Sequence, residues 1–539
     1  MSSPITLTID GKPVSVPDGA TLLDAARALS IDIPTLCFRP GHDALTTCMV
    51  CLVRVEGQAR FVPSCATKAR HGMVVHSESD EVHRARRTAL ELLLSDHAGD
   101  CLAPCQLVCP AHMHIDEMLR LIAEKDFRRA LEVVKENIPL PATLGRICPD
   151  LCEKGCRRSQ HDSAVSICQL KRFVADVDLA SPEPYVAAKR AATGKRVAIV
   201  GAGPAGLSAA YYLLLAGHEV TVYDAHPLPG GNLRYAIAPE VLPPSVVDAE
   251  VAIIRTLGMR FVGDTPLIAT PANGHGITLD QLRAGADAVL IATGAADPAL
   301  AKAMGFTVAG KGLAVNKHTG QTNLPGVFAA GAAITPHRLA VRAVGDGHHV
   351  AKSIGAFFAG LLEHGHNELF SVRLNVLSPS ELEVMLAGAA PLPRGHDVAI
   401  SPERAVAEAA RCIHCGCASA SDCALRAHGA TYDANPHHFK GERRSITPME
   451  VSSVQCPVSS SVVFEPGKCI SCGRCVQITA ESNEPLGQSY TGRGFDMRIK
   501  PPFDAAFAEA VTKCAEEVVA ACPTAAIRWG TPPKGGTTN

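Results

Sequence analysis

Residues 195–225, KRVAIVGAGPAGLSAAYYLLLAGHEVTVYDA, read as strand, glycine-rich turn, helix and strand. The turn is Gly201-Ala202-Gly203-Pro204-Ala205-Gly206. Glycines there let the backbone approach a pyrophosphate, and the helix N-terminus behind them offers free N–H groups and a positive dipole end. Asp224 closes the second strand, where an acid hydrogen-bonds ribose hydroxyls. The turn alone would be weak, but in this βαβ context it predicts a Rossmann-like dinucleotide-binding fold.

The rest of the chain is large and unusual in one respect. Its 539 residues predict roughly three to five domains. With 47% hydrophobic and 19% charged residues it is neither disordered nor collagen-like. Aromatics are 4%, so Ala, Leu, Val and Ile must build the cores. A net charge of −2 gives no electrostatic reason to expect nucleic acid or an anionic membrane as partner. No stretch approaches the ~18 consecutive apolar residues of a membrane helix. The opening MSSPITLTID lacks the charged and apolar regions of a secretory signal. A cytoplasmic location is therefore expected. Twenty-one cysteines stand out. In a reducing compartment clustered cysteines read as metal ligands rather than disulfides. They fall at 37–65, 101–168, 412–423 and 456–522, with none from 169 to 411.

At the N-terminus, 5–9 and 13–16 alternate as short strands around the turn Asp10-Gly11, and a helix is expected from Thr21 to Ala28. Cys37, Cys48, Cys51 and Cys65 follow with C-x10-C-x2-C-x13-C spacing. Four thiolates suit a [2Fe–2S] cluster or, as the weaker alternative, a structural zinc. Frame and spacing resemble the N-terminal ferredoxin of the large iron–sulfur subunit of respiratory complex I and of iron-only hydrogenases. That resemblance implies a β-grasp-like [2Fe–2S] domain.

A helical pattern over 81–95 precedes CLAPCQLVCP, and GRICPDLCEKGC follows later. This stretch resembles the N-terminal domain of the glutamate synthase small subunit, shared with dihydropyrimidine dehydrogenase and transhydrogenase flavoproteins. The resemblance implies two [4Fe–4S] clusters with crossed ligands. Carried over, Cys101, Cys105 and Cys156 serve one cluster, and Cys109, Cys148 and Cys152 the other. Each is one ligand short. His97, four residues before Cys101, is either the missing ligand or a solvated loop histidine; imidazole replaces thiolate in Rieske centres. For the other cluster the family's Glu or Gln position holds Lys171, a poor iron ligand. Cys168, three residues earlier on the same helical face, is the expected substitute, against the reading of a small buried hydrophobe.

The segments GGNLRYAI (230–237), LIATGA (290–295) and NLPGVFAAGA (323–332) resemble the flavin-binding segments of the same family and favour FAD over NAD. The implied FAD contacts are Gly201, Gly203, Pro204, Ala205, Gly206, Asp224, Gly231, Leu233, Thr293, Gly294 and Gly331. Two departures matter. The family inserts a second Rossmann domain for NADPH between the last two segments, yet only 27 residues separate Ala295 from Asn323 here. They hold no second glycine-rich turn, and a βαβ unit needs ~30 residues or more. A nicotinamide domain does not fit. Moreover, the family's aspartate that holds the flavin ribityl chain is Ala332. One charge-assisted hydrogen bond, worth ~1.5–3 kcal/mol, would be missing.

Beyond a Pro-containing stretch from Glu363 to Pro402, Cys412, Cys415, Cys417 and Cys423 lie within twelve residues and suit zinc or, in this company, a [4Fe–4S] cluster. Cys469, Cys472 and Cys475 with the remote Cys522-Pro523 reproduce one cluster of a two-cluster ferredoxin, the partner cluster being lost. Cys456 and Cys514 read as structural thiols, and His348-His349 and His437-His438 as surface residues.

The expected architecture is multidomain, α/β and α+β. A β-grasp-like [2Fe–2S] ferredoxin (1–80) is followed by a helical two-cluster domain (81–190) and a Rossmann-like FAD domain without its NAD(P)H partner (191–365). A linker with four cysteines (366–460) leads to a ferredoxin-like [4Fe–4S] domain and tail (461–539). One FAD, one [2Fe–2S] and four [4Fe–4S] clusters without a recognisable substrate site or catalytic acid–base describe a wire. The expected role is an electron-transfer subunit of a cytoplasmic oxidoreductase complex. Its expected partners are an NADH-oxidising flavoprotein and a formate-, aldehyde- or hydrogen-oxidising subunit. Two alternatives stand beside it: an independent NAD(P)H-dependent oxidoreductase of the glutamate synthase small-subunit type, and a degenerate, non-catalytic metal-binding scaffold.

Overall fold

The computed structural model describes residues 3–270, 275–361, 369–387, 389–395, 400–439, 445–446, 450–454 and 460–530. It divides into two compact units. One comprises residues 1–102, 366–387 and 415–539; the other comprises 103–365 and 388–414.

The second unit contains the Rossmann-like domain. Five parallel strands run in the order Val327–Ala329, Ala288–Ile291, Arg196–Val200, Glu219–Tyr223, Arg260–Val262. The central strand is buried from Val197 to Val200, as a strand covered on both faces must be. The helix Pro204–Leu215 packs along Ala340–Phe358 at very short range. A Cβ on Gly347 would lie 2.2 Å from the Ala205 carbonyl oxygen, and Ser208 donates its hydroxyl to Val344 O at 2.7 Å. Between Ala295 and Asn323 stand only the helix Pro298–Ala303 and a hairpin of Val308–Ala309 with Gly312–Leu313. Among the described residues that segment adds no strand to the five-stranded sheet.

Helices Pro104–Val108, Ile115–Ala123, Phe127–Lys135, Pro141–Ile147, Leu151–Lys154 and Ile167–Leu179 form the helical part of the same unit. Two of the contacts that join it to the sheet domain bear on the cysteines. The buried Glu250 of Pro244–Thr256 accepts from Ala142 N at 2.6 Å and Thr143 N at 3.0 Å, closing the start of the helix that leads to Cys148. Gly345 lets Ala340–Phe358 approach the backbone after Cys109, since its Cβ would meet Pro110 O at 2.3 Å.

The stretch read as a linker is split between the units. Its part in the second unit is anchored by a buried network. Glu408 accepts from Ser166 N and Gly395 N, each at 2.9 Å, and from Arg411 Nη1 at 2.8 Å. The fully buried Arg411 also donates to Ser163 O at 2.8 Å.

In the first unit, a five-stranded sheet has the order Lys12–Val16, Ile5–Ile9, Val74–His76, Leu52–Val55, Val62–Pro63, with Ile5–Ile9 and Val74–His76 parallel. Thr21 and Asp24 form a capping box on Leu22–Ala28, which fills the sheet's apolar face with Leu22, Leu23, Ala25 and Ala26. The helix Asp80–Ser95 packs through a fully buried Arg86, which donates to Leu52 O at 3.0 Å and Tyr432 Oη at 2.8 Å. Ser460–Phe464 pairs with Glu450–Val454 and Ile527–Trp529, and helices Arg474–Glu481 and Ala515–Ala521 pack together nearby. Among the described residues no helix is long and apolar enough to cross a membrane.

Candidate metal centres and dinucleotide site

Cys37, Cys48, Cys51 and Cys65 are all buried and come together as two pairs. Cys51 Sγ lies 3.4 Å from Cys65 Sγ, and Cys37 is hydrogen-bonded to Cys48. That bond holds the Cys37 thiol down at about 5 and pushes Cys48 up; the Cys65 contact holds Cys51 at about 6 and pushes Cys65 up. Two pairs of sulfurs are what two adjacent tetrahedral irons require, and the donor set fits a [2Fe–2S] cluster. The loop achieves this with Thr46 and Met49 at positive φ (52° and 56°) on either side of Cys48.

In the helical part, Cys109, Cys148, Cys152 and Cys168 surround Lys171. Cys152 Sγ is 4.0 Å from Cys168 Sγ, and Cys148 is hydrogen-bonded to Cys168. The Lys171 ammonium is buried and donates to Cys168 Sγ at 3.8 Å. Burial works to lower the Lys171 pKa; the charges of Cys168, Cys148, Cys152 and Cys109 outweigh it and raise it. Gly145 makes the geometry possible. Its Cβ would stand 2.5 Å from Arg172 Cβ, so the helices leading to Cys148 and carrying Cys168 cross almost backbone to backbone. Glu153 accepts from Cys168 N at 3.0 Å and pairs with Arg394, fixing the start of that helix. Four soft donors around a buried cation fit an anionic thiolate–iron cluster.

Cys105 and Cys156 belong to the same unit as those four, on packed helical segments. The Cβ of Gly155 would lie 2.5 Å from Val108 Cγ2 and 3.2 Å from Pro104 O. Cys412 is also in that unit, accepting from His414 N at 3.4 Å. Cys101, His97, Cys415, Cys417 and Cys423 are in the first unit. There Cys417 N donates to Cys101 O at 3.2 Å, and Val372 N donates to Cys101 Sγ at 3.4 Å. His97 is buried.

Cys469, Cys472, Cys475 and Cys522 line one cavity with Ile470, Ile499, Val518 and Ile527. Ser471 N donates to Cys469 Sγ and Ile527 N to Cys522 Sγ, both at 3.4 Å. Burial pushes Cys472 up to about 12, so only a bound cation would deprotonate it. Four thiols in an apolar pocket with backbone donors fit a [4Fe–4S] cluster. Cys514 donates to Glu484 Oε1 at 3.3 Å. Cys456 lies outside the described residues. His348 stacks on Tyr212 with ring centroids 3.7 Å apart, and His438 pairs with Glu91 at 3.5 Å.

At the glycine turn, a Cβ on Gly206 would lie 1.9 Å from Gly201 O, whereas one on Gly203 would meet nothing within 4 Å. Gly206 thus serves helix–strand packing, and Gly203 leaves an open cradle at the start of Pro204–Leu215. Gly231, at φ +52°, approaches Gly203 closely, and Gly331 approaches Ala205. Asp224 Oδ2 accepts from Ala202 N at 2.6 Å and Oδ1 from His226 N at 2.9 Å, so the carboxylate shapes the turn and keeps further lone pairs for a ribose. Leu233 is buried in the core, which leaves only its backbone to a ligand, and Thr293 is exposed beside Gly294. These features fit a bound dinucleotide. A separate cavity of about 420 Å³ lies where Arg196, Glu219 and Arg260 begin their strands and is lined by none of the expected ligands.

Three family profiles match this chain. Residues 2–80 match a 2Fe-2S iron–sulfur cluster binding domain, 80–182 match dihydropyrimidine dehydrogenase domain II with its 4Fe-4S cluster, and 199–262 match an NAD(P)-binding Rossmann-like domain. The chain is thus a mixed α/β protein with iron–sulfur domains and a Rossmann-like domain. It is 38% identical over 195 residues to the NADPH-Fe(3+) oxidoreductase subunit beta of Geobacter sulfurreducens, covering 36% of this chain and 28% of that one. The NAD-dependent dihydropyrimidine dehydrogenase subunit PreT of Escherichia coli is 38% identical over 209 residues, 38% of this chain and 49% of its own. The NADP-reducing hydrogenase subunit HndD of Solidesulfovibrio fructosivorans is 55% identical over 106 residues, 19% of this chain and 18% of its own. The alignments therefore span less than half the length of each of these relatives.

Proposed function

We propose that this chain is an electron-transfer subunit of a larger oxidoreductase complex, carrying FAD at the Gly201–Gly206 turn and several iron–sulfur clusters. Its flavin domain is of the glutamate synthase small-subunit kind with the nicotinamide module removed. The observation that carries this reading is the segment between Ala295 and Asn323. A six-residue helix and a short hairpin occupy the place where a nucleotide-reducing enzyme of that kind holds its second Rossmann domain.

Bound FAD handles electron pairs or single electrons and the clusters one electron at a time, the chemistry residing in the cofactors. The protein's own contribution is placement and charge. Lys171 sets a buried positive charge among Cys109, Cys148, Cys152 and Cys168. Gly345 brings Pro110, next to Cys109, against the helix that flanks the dinucleotide cradle, which favours a short path between cluster and flavin. Three relatives named as subunits of an iron reductase, a pyrimidine dehydrogenase and a hydrogenase support a partner that supplies or consumes the electrons. An NADH-oxidising flavoprotein at one end and a formate-, aldehyde- or hydrogen-oxidising subunit at the other fit this role.

A second reading has its own support, because the profile matched at 199–262 is that of an NAD(P)-binding domain. On that reading the chain reduces its clusters from NAD(P)H directly. Anaerobic titration of the isolated chain with NADH, NADPH and then dithionite, followed by visible absorbance, separates the two. The relay reading expects bleaching by dithionite alone. Bleaching by either nucleotide at catalytic rates would replace it with the second.

A further inference from the structure

Within the first unit the cysteines do not sort by their sequence spacing. The loop after Asp80–Ser95 carries His97, Gly99 and Cys101, and it meets the stretch that carries Cys417 and Cys423. Cys417 N donates to Cys101 O at 3.2 Å, which fastens the two stretches at their cysteines. Cys101 and Cys423 belong to one buried apolar cluster with Leu94, Phe370 and Leu425. Each of the three sulfurs accepts a hydrogen bond: Cys101 from Val372 N at 3.4 Å, Cys423 from Arg426 N at 3.4 Å, and Cys417 from Lys468 Nζ at 3.5 Å. A neutral thiol is a weak acceptor, whereas a metal-bound thiolate is a good one. Three sulfurs so supplied have the donors that a metal-bound thiolate would use, while burial holds the unloaded Cys101 and Cys423 thiols above their ordinary range. Two cations stand by, Lys468, which is buried and paired with Glu465 at 2.6 Å, and Arg426.

His97, buried in the same loop as Cys101, lies beside the lysine of this group. A Cβ placed on Gly99 would lie 3.6 Å from His97 Nε2 and 3.1 Å from Lys468 Cε. The imidazole and the lysine that binds Cys417 therefore both pack against Gly99, where any side chain would crowd Lys468.

We propose that Cys101, Cys417 and Cys423, with His97, hold one [4Fe–4S] cluster assembled from distant parts of the chain. This rests on the reading of the chain as an iron–sulfur relay. It replaces two groupings, Cys101 with Cys105 and Cys156, which the family resemblance implies, and Cys417 and Cys423 with Cys412 and Cys415, which sequence spacing favours. Cys37, Cys48 and Cys472 belong to the same apolar cluster of residues. The composite centre therefore shares its packing with both the [2Fe–2S] and the C-terminal centres, and three centres of the relay are built around one core.

The test uses the full chain, purified anaerobically, with iron and zinc analysis and electron paramagnetic resonance of the dithionite-reduced protein. Cys101→Ser and Cys417→Ser should each remove about four irons per chain, and the double variant should again remove about four, because both cysteines serve one cubane. Loss of about eight irons from the double variant overturns the proposal. The [2Fe–2S] signal marks variants that remain folded. If a serine variant loses it, Lys468→Met serves instead, since it leaves all ligands in place. Pulsed resonance should show nitrogen coupling on one cluster, lost in His97→Cys, and Lys468→Met should lower the midpoint potential of that same cluster. No nitrogen coupling, or a shift confined to another cluster, overturns the assignment. Stoichiometric zinc with little iron in the unmodified chain would instead bring down the relay reading itself.

Discussion

Thr47 donates its hydroxyl to the carbonyl oxygen of Cys472 at 2.9 Å, so the residue before Cys48 is bonded to one of the four cysteines that line the C-terminal pocket. The contact is reinforced. Arg39, almost buried, pairs with Glu481 at 2.8 Å and Glu517 at 2.6 Å, one from each helix of the C-terminal fold. Leu45 packs there too, its Cδ1 3.4 Å from where a Cβ on Gly473 would stand. The N-terminal and C-terminal ferredoxin-like modules, at opposite ends of the sequence, are thus one body. Thr47→Val should cost ~1 kcal/mol, the net worth of one neutral hydrogen bond. The check is the apparent Tm of the cluster-loaded chain, expected to fall while iron content stays unchanged.

Lys171 invites the opposite kind of test, on potential rather than stability. Its ammonium is enclosed by Cys168, Cys148, Cys152 and Cys109, and its charge favours the reduced, more negative state of whatever those thiolates hold. Lys171→Met keeps the apolar stem and removes the charge. Redox titration should place that cluster's midpoint lower by roughly tens of millivolts, with all irons retained. An unchanged midpoint would mean that Lys171 neutralises the unloaded thiols and does nothing more.

How much of this was legible in the sequence depends on how local the information is. The glycine turn announced itself because strand, turn and helix are contiguous. Cys168 was reachable through helical periodicity, since it stands one turn before Lys171. Cys37, Cys48, Cys51 and Cys65, which pair two by two, all lie within one stretch of 29 residues. Cys101 was different: its neighbours Cys417 and Cys423 are more than three hundred positions away, and spacing along the chain carries nothing about which distant loops meet. The network of Glu408, Arg411 and Ser166 was equally hidden, because a buried charge in a Pro-containing stretch has the composition of a solvated one. Leu233 shows a further limit. The segment around it resembles a flavin-binding one, but whether its leucine faces ligand or core is decided by packing.

Glu250 makes stability depend on pH. Burial raises its carboxyl to about 7, against the partial relief given by Thr143 and Ala142 and by the nearby Lys135. In the unfolded chain it titrates near 4.3. Between those values the folded state holds a proton that the unfolded state has lost, so stability is full below the lower value and falls as pH rises to about 7. The loss is on the order of 4 kcal/mol. The apparent Tm should therefore drop between pH 5 and pH 7.5. In Glu250→Gln, which retains an acceptor for the backbone of Ala142 or Thr143, that part of the slope should vanish.

Ala332 offers the most direct test of the cofactor. It follows Gly331, whose φ of +66° and close approach to Ala205 bring this segment against the start of the dinucleotide helix. The resemblance implies that an aspartate at this position holds the ribityl chain of FAD, and the alanine removes that bond. Ala332→Asp should then strengthen FAD binding by ~1.5–3 kcal/mol, roughly ten- to a hundredfold in Kd. Equilibrium dialysis of both proteins against FAD reads the ratio directly. Tighter binding of FAD, with no comparable gain for NADH, identifies the occupant of the cradle as a flavin. A gain for neither would mean that the segment after Gly331 does not face the cofactor, and the flavin assignment would lose its footing at this end of the site.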